Sequence, residues 1–89
     1  MRPVYTVDCS KMQDRASVHD ELARALELPE YYGRNLDALY DCLMDLPECT
    51  VVLERIGALE ELGPYGEHVL DVFQDAARER EDLILEKEE

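Results

Sequence analysis

The sequence predicts an α/β fold built on a three-stranded parallel sheet, because three short aliphatic runs alternate with helical stretches long enough to cross over a sheet. The runs are Pro3 to Asp8, Thr50 to Glu54 and Leu83 to Glu86. Two helical segments separate each run from the next, which gives the order βααβααβ with helices packed on the sheet. A length of 89 residues, 46% apolar and 35% charged, suits one domain spanning 1–89 with a single core.

Each element has its own local signal. Pro3-Val4-Tyr5-Thr6-Val7-Asp8 is β-branched and aromatic with both faces largely apolar, as expected of a strand covered by helices on its faces. Ser17-Val18-His19-Asp20 reads as a capping box with Asp in place of Glu. Behind it Val18, Leu22, Ala25 and Leu26 recur at helical spacing until Pro29 stops the helix. Glu30-Tyr31-Tyr32-Gly33-Arg34 reads as a loop in which Gly33 is free to take positive φ. Asn35, the only asparagine, stands where an N-cap belongs, with Leu36, Leu39 and Leu43 repeating after it and Pro47 marking the exit. The runs at 50–54 and 83–86 both read as interior strands. Between them Ala58 to Leu62 forms a short helix, Gly63-Pro64 breaks the chain, and Val69, Leu70, Phe73, Ala76 and Ala77 define a longer helix.

Charge narrows the function. Nine Lys and Arg against 22 Asp and Glu leave a net charge of −13. Such a polyanion repels phosphate and gains nothing from counterion release, which excludes nucleic acid as a direct partner and points to basic ones. No run approaches the roughly 20 apolar residues of a membrane span, and Met1-Arg2-Pro3-Val4 opens without a signal-peptide core. The expectation is therefore a cytoplasmic protein without a membrane partner. Cys9, Cys42 and Cys49 are odd in number and form no C-x-x-C pair, so they are expected to be reduced, mostly buried thiols, with one pairing open under oxidation.

The informative constellation lies on the second helix. At about 100° per residue, Leu36, Leu39, Tyr40 and Leu43 fall within about 100° of one another and face the core. Asp37, Asp41 and Asp45 share a separate face within about 80°, beside the tyrosine edge. A charged stripe is ordinarily the solvated side of an amphipathic helix, but this one is locally unfavourable. Aspartate is a weak helix former, like charges at i, i+4 cost about 0.2–0.5 kcal/mol each, and Asp45 sits at the wrong end of the helix dipole. Short rigid anions next to the Tyr31-Tyr32 loop are what a recognition surface requires, since they lose little side-chain entropy on binding.

The stretch Leu28-Pro29-Glu30-Tyr31-Tyr32-Gly33-Arg34-Asn35-Leu36-Asp37-Ala38-Leu39-Tyr40-Asp41-Cys42-Leu43 resembles the signature of the barstar family of ribonuclease inhibitors. The resemblance extends over the Val51-Val52-Leu53-Glu54 strand and the Val69-Leu70-Asp71-Val72-Phe73 helix, and so covers essentially the whole chain. It implies an intracellular protein, monomeric when free, that plugs the active site of a secreted microbial guanyl-specific ribonuclease one to one by acidic mimicry of RNA phosphate. It also implies that Tyr31, Tyr32, Gly33, Asn35, Leu36, Asp37, Tyr40 and Asp41 form the ribonuclease-binding helix and loop. In the family the aspartate matching Asp41 enters the phosphate pocket, facing arginine and histidine, while Asp37 supports it and Tyr31 stacks on the enzyme. Asp75, on the last helix, matches an acidic contact that is Glu in the type member. Tyr40 replaces a tryptophan, and Met44-Asp45-Leu46 replaces a turn bearing Gly and Trp. Asp45 joins the set as the third member of the ridge.

Other chemistries find less support. Two serines and two histidines form no plausible triad, and no G-x-S-x-G, P-loop or H-E-x-x-H occurs, so neither catalytic residues nor a cofactor are expected. His19 and His68 read as solvent-facing helix residues. Three carboxylates spread over two helical turns do not make a calcium loop, and no metal site is expected. Glu60-Glu61 and the Glu79 to Asp82 run read as solvated charge, with Arg78 and Arg80 favourable at their helix C-terminus. An acidic adaptor, or an immunity protein against a non-ribonuclease toxin, is the alternative reading. Inhibition of RNA cleavage, as against salt-sensitive binding alone, separates the two.

Overall fold

A computed structural model describes residues 2–89. Strand β1 (Val4–Asp8) runs into a 3-10 turn at Cys9–Lys11, followed by helices α1 (Arg15–Ala25) and α2 (Leu36–Asp45). Strand β2 (Cys49–Glu54), a 3-10 helix at Ile56–Leu62, helix α3 (Pro64–Glu79) and strand β3 (Leu83–Lys87) complete the chain. The sheet is parallel throughout in the order β1-β2-β3, with Val4, Thr50 and Ile84 in register across it. The predicted fold class and order hold, with the short third helix realised as a 3-10 helix that starts two residues earlier.

All three α-helices contribute to one apolar cluster on one side of the sheet. There Val7, Val51, Leu53 and Leu83 pack with Leu22, Leu39, Leu43 and Phe73. The opposite side is open: Val4 is 61% and Ile84 40% exposed, and Thr6 and Glu86 are also exposed. The expectation that helices cover β1 on both faces is therefore corrected, as is the interior placement of β3, which is an edge strand with only Leu83 fully buried. Periodicity could not show this. A strand apolar on both faces reads the same whether one layer of helices covers it or two.

Helix α1 begins earlier than expected. Asp14 is the N-cap: its carboxylate accepts from the Ser17 N–H at 2.8 Å, and the Ser17 hydroxyl accepts from the Asp14 N–H at 2.9 Å. The box is thus Asp14 with Ser17, not Ser17 with Asp20, because the intervening Arg15 and Ala16 are good helix formers and let the first turn extend back to the preceding oxygen acceptor. The Ser17 N–H holds the Asp14 carboxyl below its ordinary range. The helix closes with Glu27 at φ 54° and the Leu28 N–H donating to the Ala23 carbonyl at 3.0 Å, ahead of Pro29. Helix α3 lies directly on the 3-10 helix: a Cβ at Gly66 would come within 1.9 Å of the Leu59 carbonyl oxygen.

Candidate partner-binding surface

The expected surface comprises the loop 30–35 and helix α2. Asn35 caps α2 as its sequence position suggests. Its Oδ1 accepts from the Ala38 N–H at 2.8 Å and its Nδ2 donates to the Gly33 carbonyl at 3.1 Å, which ties the loop to the first helical turn. Gly33 does not take positive φ. The left-handed residue is Arg34, at φ 55°. Glycine suits position 33 for want of room instead, since a Cβ there would sit 3.2 Å from Ala38 Cβ. The Arg34 guanidinium pairs with the Asp20 carboxylate and donates to the Ala16 carbonyl at 3.2 Å, pinning the loop to α1.

The tandem tyrosines part company. Tyr31 is 88% exposed, whereas Tyr32 is 7% exposed and its hydroxyl lies 2.6 Å from Nδ1 of His19. Of the two residues, only Tyr31 exposes its side chain; Tyr32 faces inward and holds the loop. His19, expected in solvent, is 2% exposed. Its position on the core-facing side of α1, next to Val18 and Leu22, meets an inward hydroxyl that local sequence could not reveal.

On α2, Leu39 and Leu43 are fully buried and Leu36 and Tyr40 half-buried against the core. Asp37, Asp41 and Asp45 are all exposed. A groove of about 520 Å³ runs between α2 and the segment that follows α1, with Asp41 and Asp45 lining it on the α2 side and Tyr31 and Gly33 on the loop side. Asp37 and Tyr40 are not among its lining residues. Burial, together with the charges of Asp45 and Asp41, pushes up the pKa of the Cys42 thiol in the groove wall and keeps it protonated. Asp75 is exposed on α3, which packs against α2, and pairs with Arg78 at 3.0 Å.

The difficulty at Asp45 is resolved by a residue that sequence reading assigned to its own helix end. Arg80 reaches across and donates from one terminal nitrogen to the carbonyls of Leu43 at 2.8 Å and Leu46 at 2.7 Å, while its Nε donates to Asp82 at 2.9 Å. A hydrogen bond from a charged donor contributes about 1.5–3 kcal/mol. Two such bonds outweigh the roughly 0.4–1 kcal/mol of repulsion in the two i, i+4 aspartate pairs. Arg80 closes the negative end of α2 beneath an anionic ridge.

No cluster of His, Cys, Asp or Glu among the described residues is arranged to hold a metal ion, and no helix among them is long and apolar enough to cross a membrane.

The layered α/β fold thus leaves the carboxylates of Asp37, Asp41 and Asp45 and the side chain of Tyr31 exposed around one helix. Comparison with known proteins identifies the family. The family model described as "Barstar (barnase inhibitor)" matches residues 2–86, and the chain belongs to the barstar family. It is also 42% identical over 87 residues to the Bacillus subtilis (strain 168) protein named "Putative ribonuclease inhibitor YrdF", a match covering 90% of this chain and 94% of that relative.

Proposed function

We propose that this chain is an intracellular inhibitor that binds a microbial guanyl-specific ribonuclease one to one and occludes its active site by standing in for RNA phosphate. Family membership and the name of the Bacillus subtilis relative support the ribonuclease as target. The observation that carries the mechanism is the placement of Asp41: exposed, on a helix closed at both ends, and in the wall of a groove that Tyr31 also lines. An enzyme that cleaves RNA must present cationic groups where the phosphate sits. A carboxylate held at fixed geometry meets such groups with charge-assisted hydrogen bonds. Asp37 and Asp45 extend the anionic field along the helix, which raises the association rate with a basic cleft. Tyr31 supplies a flat apolar anchor, and Gly33, Asn35, Leu36 and Tyr40 complete the surface. Tyr32 contributes through its backbone and by holding the loop. Asp75 joins the contact only by giving up its pairing with Arg78. No bond is made or broken.

The test is a titration of RNA hydrolysis by a guanyl-specific ribonuclease with wild type and Asp41→Ala. Stoichiometric inhibition by wild type and its loss in the variant are expected. Equal inhibition by both removes Asp41 from its central place. Salt-sensitive binding to basic proteins without inhibition by wild type favours the adaptor reading.

A further inference from the structure

The groove beside the anionic ridge has a second wall, and that wall carries a carboxylate of its own. Glu27, exposed in the segment after α1, lines the groove across from Asp41 and Asp45 on α2. Between them the lining is largely apolar, with Leu26, Leu28, Pro29, Leu46 and Pro47. Among the described residues no Lys or Arg lines this space, and none of the three carboxylates takes part in an ion pair. Tyr5 of β1 also reaches the groove. Burial first, and then the neighbouring Cys49 and Glu27, push its phenol up, so the hydroxyl stays protonated and the Glu27 charge acts inside the groove.

Both walls are fixed by the fold. Glu27 takes φ 54°, and the Leu28 N–H behind it donates to the Ala23 carbonyl at 3.0 Å. On the other side Arg80 holds the Leu46 carbonyl at 2.7 Å. The groove is therefore formed in the free protein, and filling it costs little ordering of its walls.

Such a lining selects its occupant by charge. An anion is repelled from it, and a wholly apolar side chain strips water from three carboxylates and returns nothing to them. A lysine or arginine side chain satisfies both parts, with its methylenes along the apolar floor and its cationic head among the carboxylates.

We propose that the groove is a subsite for one lysine or arginine side chain of the ribonuclease, and that Glu27 is a specificity-determining residue that favours enzymes carrying a basic side chain at that position over enzymes that do not. The inference rests on the proposed function and adds to it a contact outside α2 and the loop 30–35. Selection works in both senses: an enzyme without the cation leaves Glu27 and Asp45 without a partner at a closed interface.

A panel of guanyl-specific ribonucleases is first tested for inhibition by wild type. With an inhibited enzyme, association and dissociation rates are measured for wild type, Glu27→Gln and Glu30→Gln. Glu30 is also exposed on the loop but does not line the groove. Glu27→Gln keeps the shape of the side chain and removes its charge. It is expected to dissociate about 5- to 12-fold faster, the difference between a charged and a neutral hydrogen bond. Glu30→Gln should change only the association rate, and less so as salt rises, as a charge outside the contact does. Each exposed Lys and Arg of the enzyme is then replaced by Ala and combined with both variants in double-mutant cycles. One basic residue is expected to couple to Glu27 by about 5- to 12-fold and not to couple to Glu30.

Dissociation of Glu27→Gln at the wild-type rate overturns the subsite and leaves the inhibitor reading standing. So does coupling spread evenly over the basic residues of the enzyme. Failure of wild type to inhibit any member of the panel overturns the inhibitor reading, and the subsite falls with it.

Discussion

Two faces of this molecule are exposed, and they are built in opposite ways. The open side of the sheet shows Val4, Thr6, Ile84 and Glu86, held only by the strand ladder beneath them. The loop and α2 surface shows Tyr31, Asp37, Asp41 and Asp45, and nearly every residue around these is tied down. Asn35 caps the start of the helix, Arg80 closes its end, Arg34 fastens the loop to α1, and Tyr32 is anchored on His19. Exposure alone therefore does not set the proposed binding surface apart. Fixed geometry under unfavourable charge does, since like charges held close together need support that a solvated face would not require.

The contrast can be broken experimentally. The largest effect is expected at Asp41→Ala, read as ribonuclease inhibition: truncating one partner of a buried charge pair costs about 2–5 kcal/mol, a range known from charge pairs across protein interfaces, the type complex of the barstar family among them. Next comes Arg80→Ala, which leaves the α2 carbonyls without their charged donor and should lower stability by about 2–3 kcal/mol in denaturant unfolding. Arg80→Lys should recover only part of this, because one ammonium cannot reproduce the spread of the guanidinium between two carbonyls and Asp82. Asn35→Ala should cost about 1 kcal/mol by the same measurement, and Asn35→Ser much less, since serine can also cap. Smallest is Ile84→Thr on the open sheet face, expected to stay within about 0.5 kcal/mol of wild type and to leave inhibition unchanged. A large loss of inhibition from Ile84→Thr would move the interface to the other side of the molecule.

How much of this could be read from the sequence depends on how far apart the cooperating residues lie. Asn35 as a cap and Leu39 and Leu43 as core positions were legible because cap and stripe are local patterns within one helix. The parallel pairing was legible from the lengths of the connections, but the place of β3 at the sheet edge was not. Tyr31 and Tyr32 are the same residue type in adjacent positions, and only His19, 13 residues earlier, separates the exposed one from the buried one. Arg80 sits 37 residues from the Leu43 carbonyl it closes, so no window on α2 contains it. At position 33 the pattern pointed to the right residue type for the wrong reason. The glycine gives Ala38 room to approach, and the left-handed turn falls on Arg34.

The place of Arg80 in the chain also bears on biosynthesis. The ribosome releases the acidic helix long before it releases the cation that closes it, and the guanidinium arrives just ahead of β3. A nascent chain stalled short of that point carries every anion of the ridge on a helix whose last turn is unsealed. The sealed form of the ridge is thus deferred until α3 and the arginine behind it have both been made.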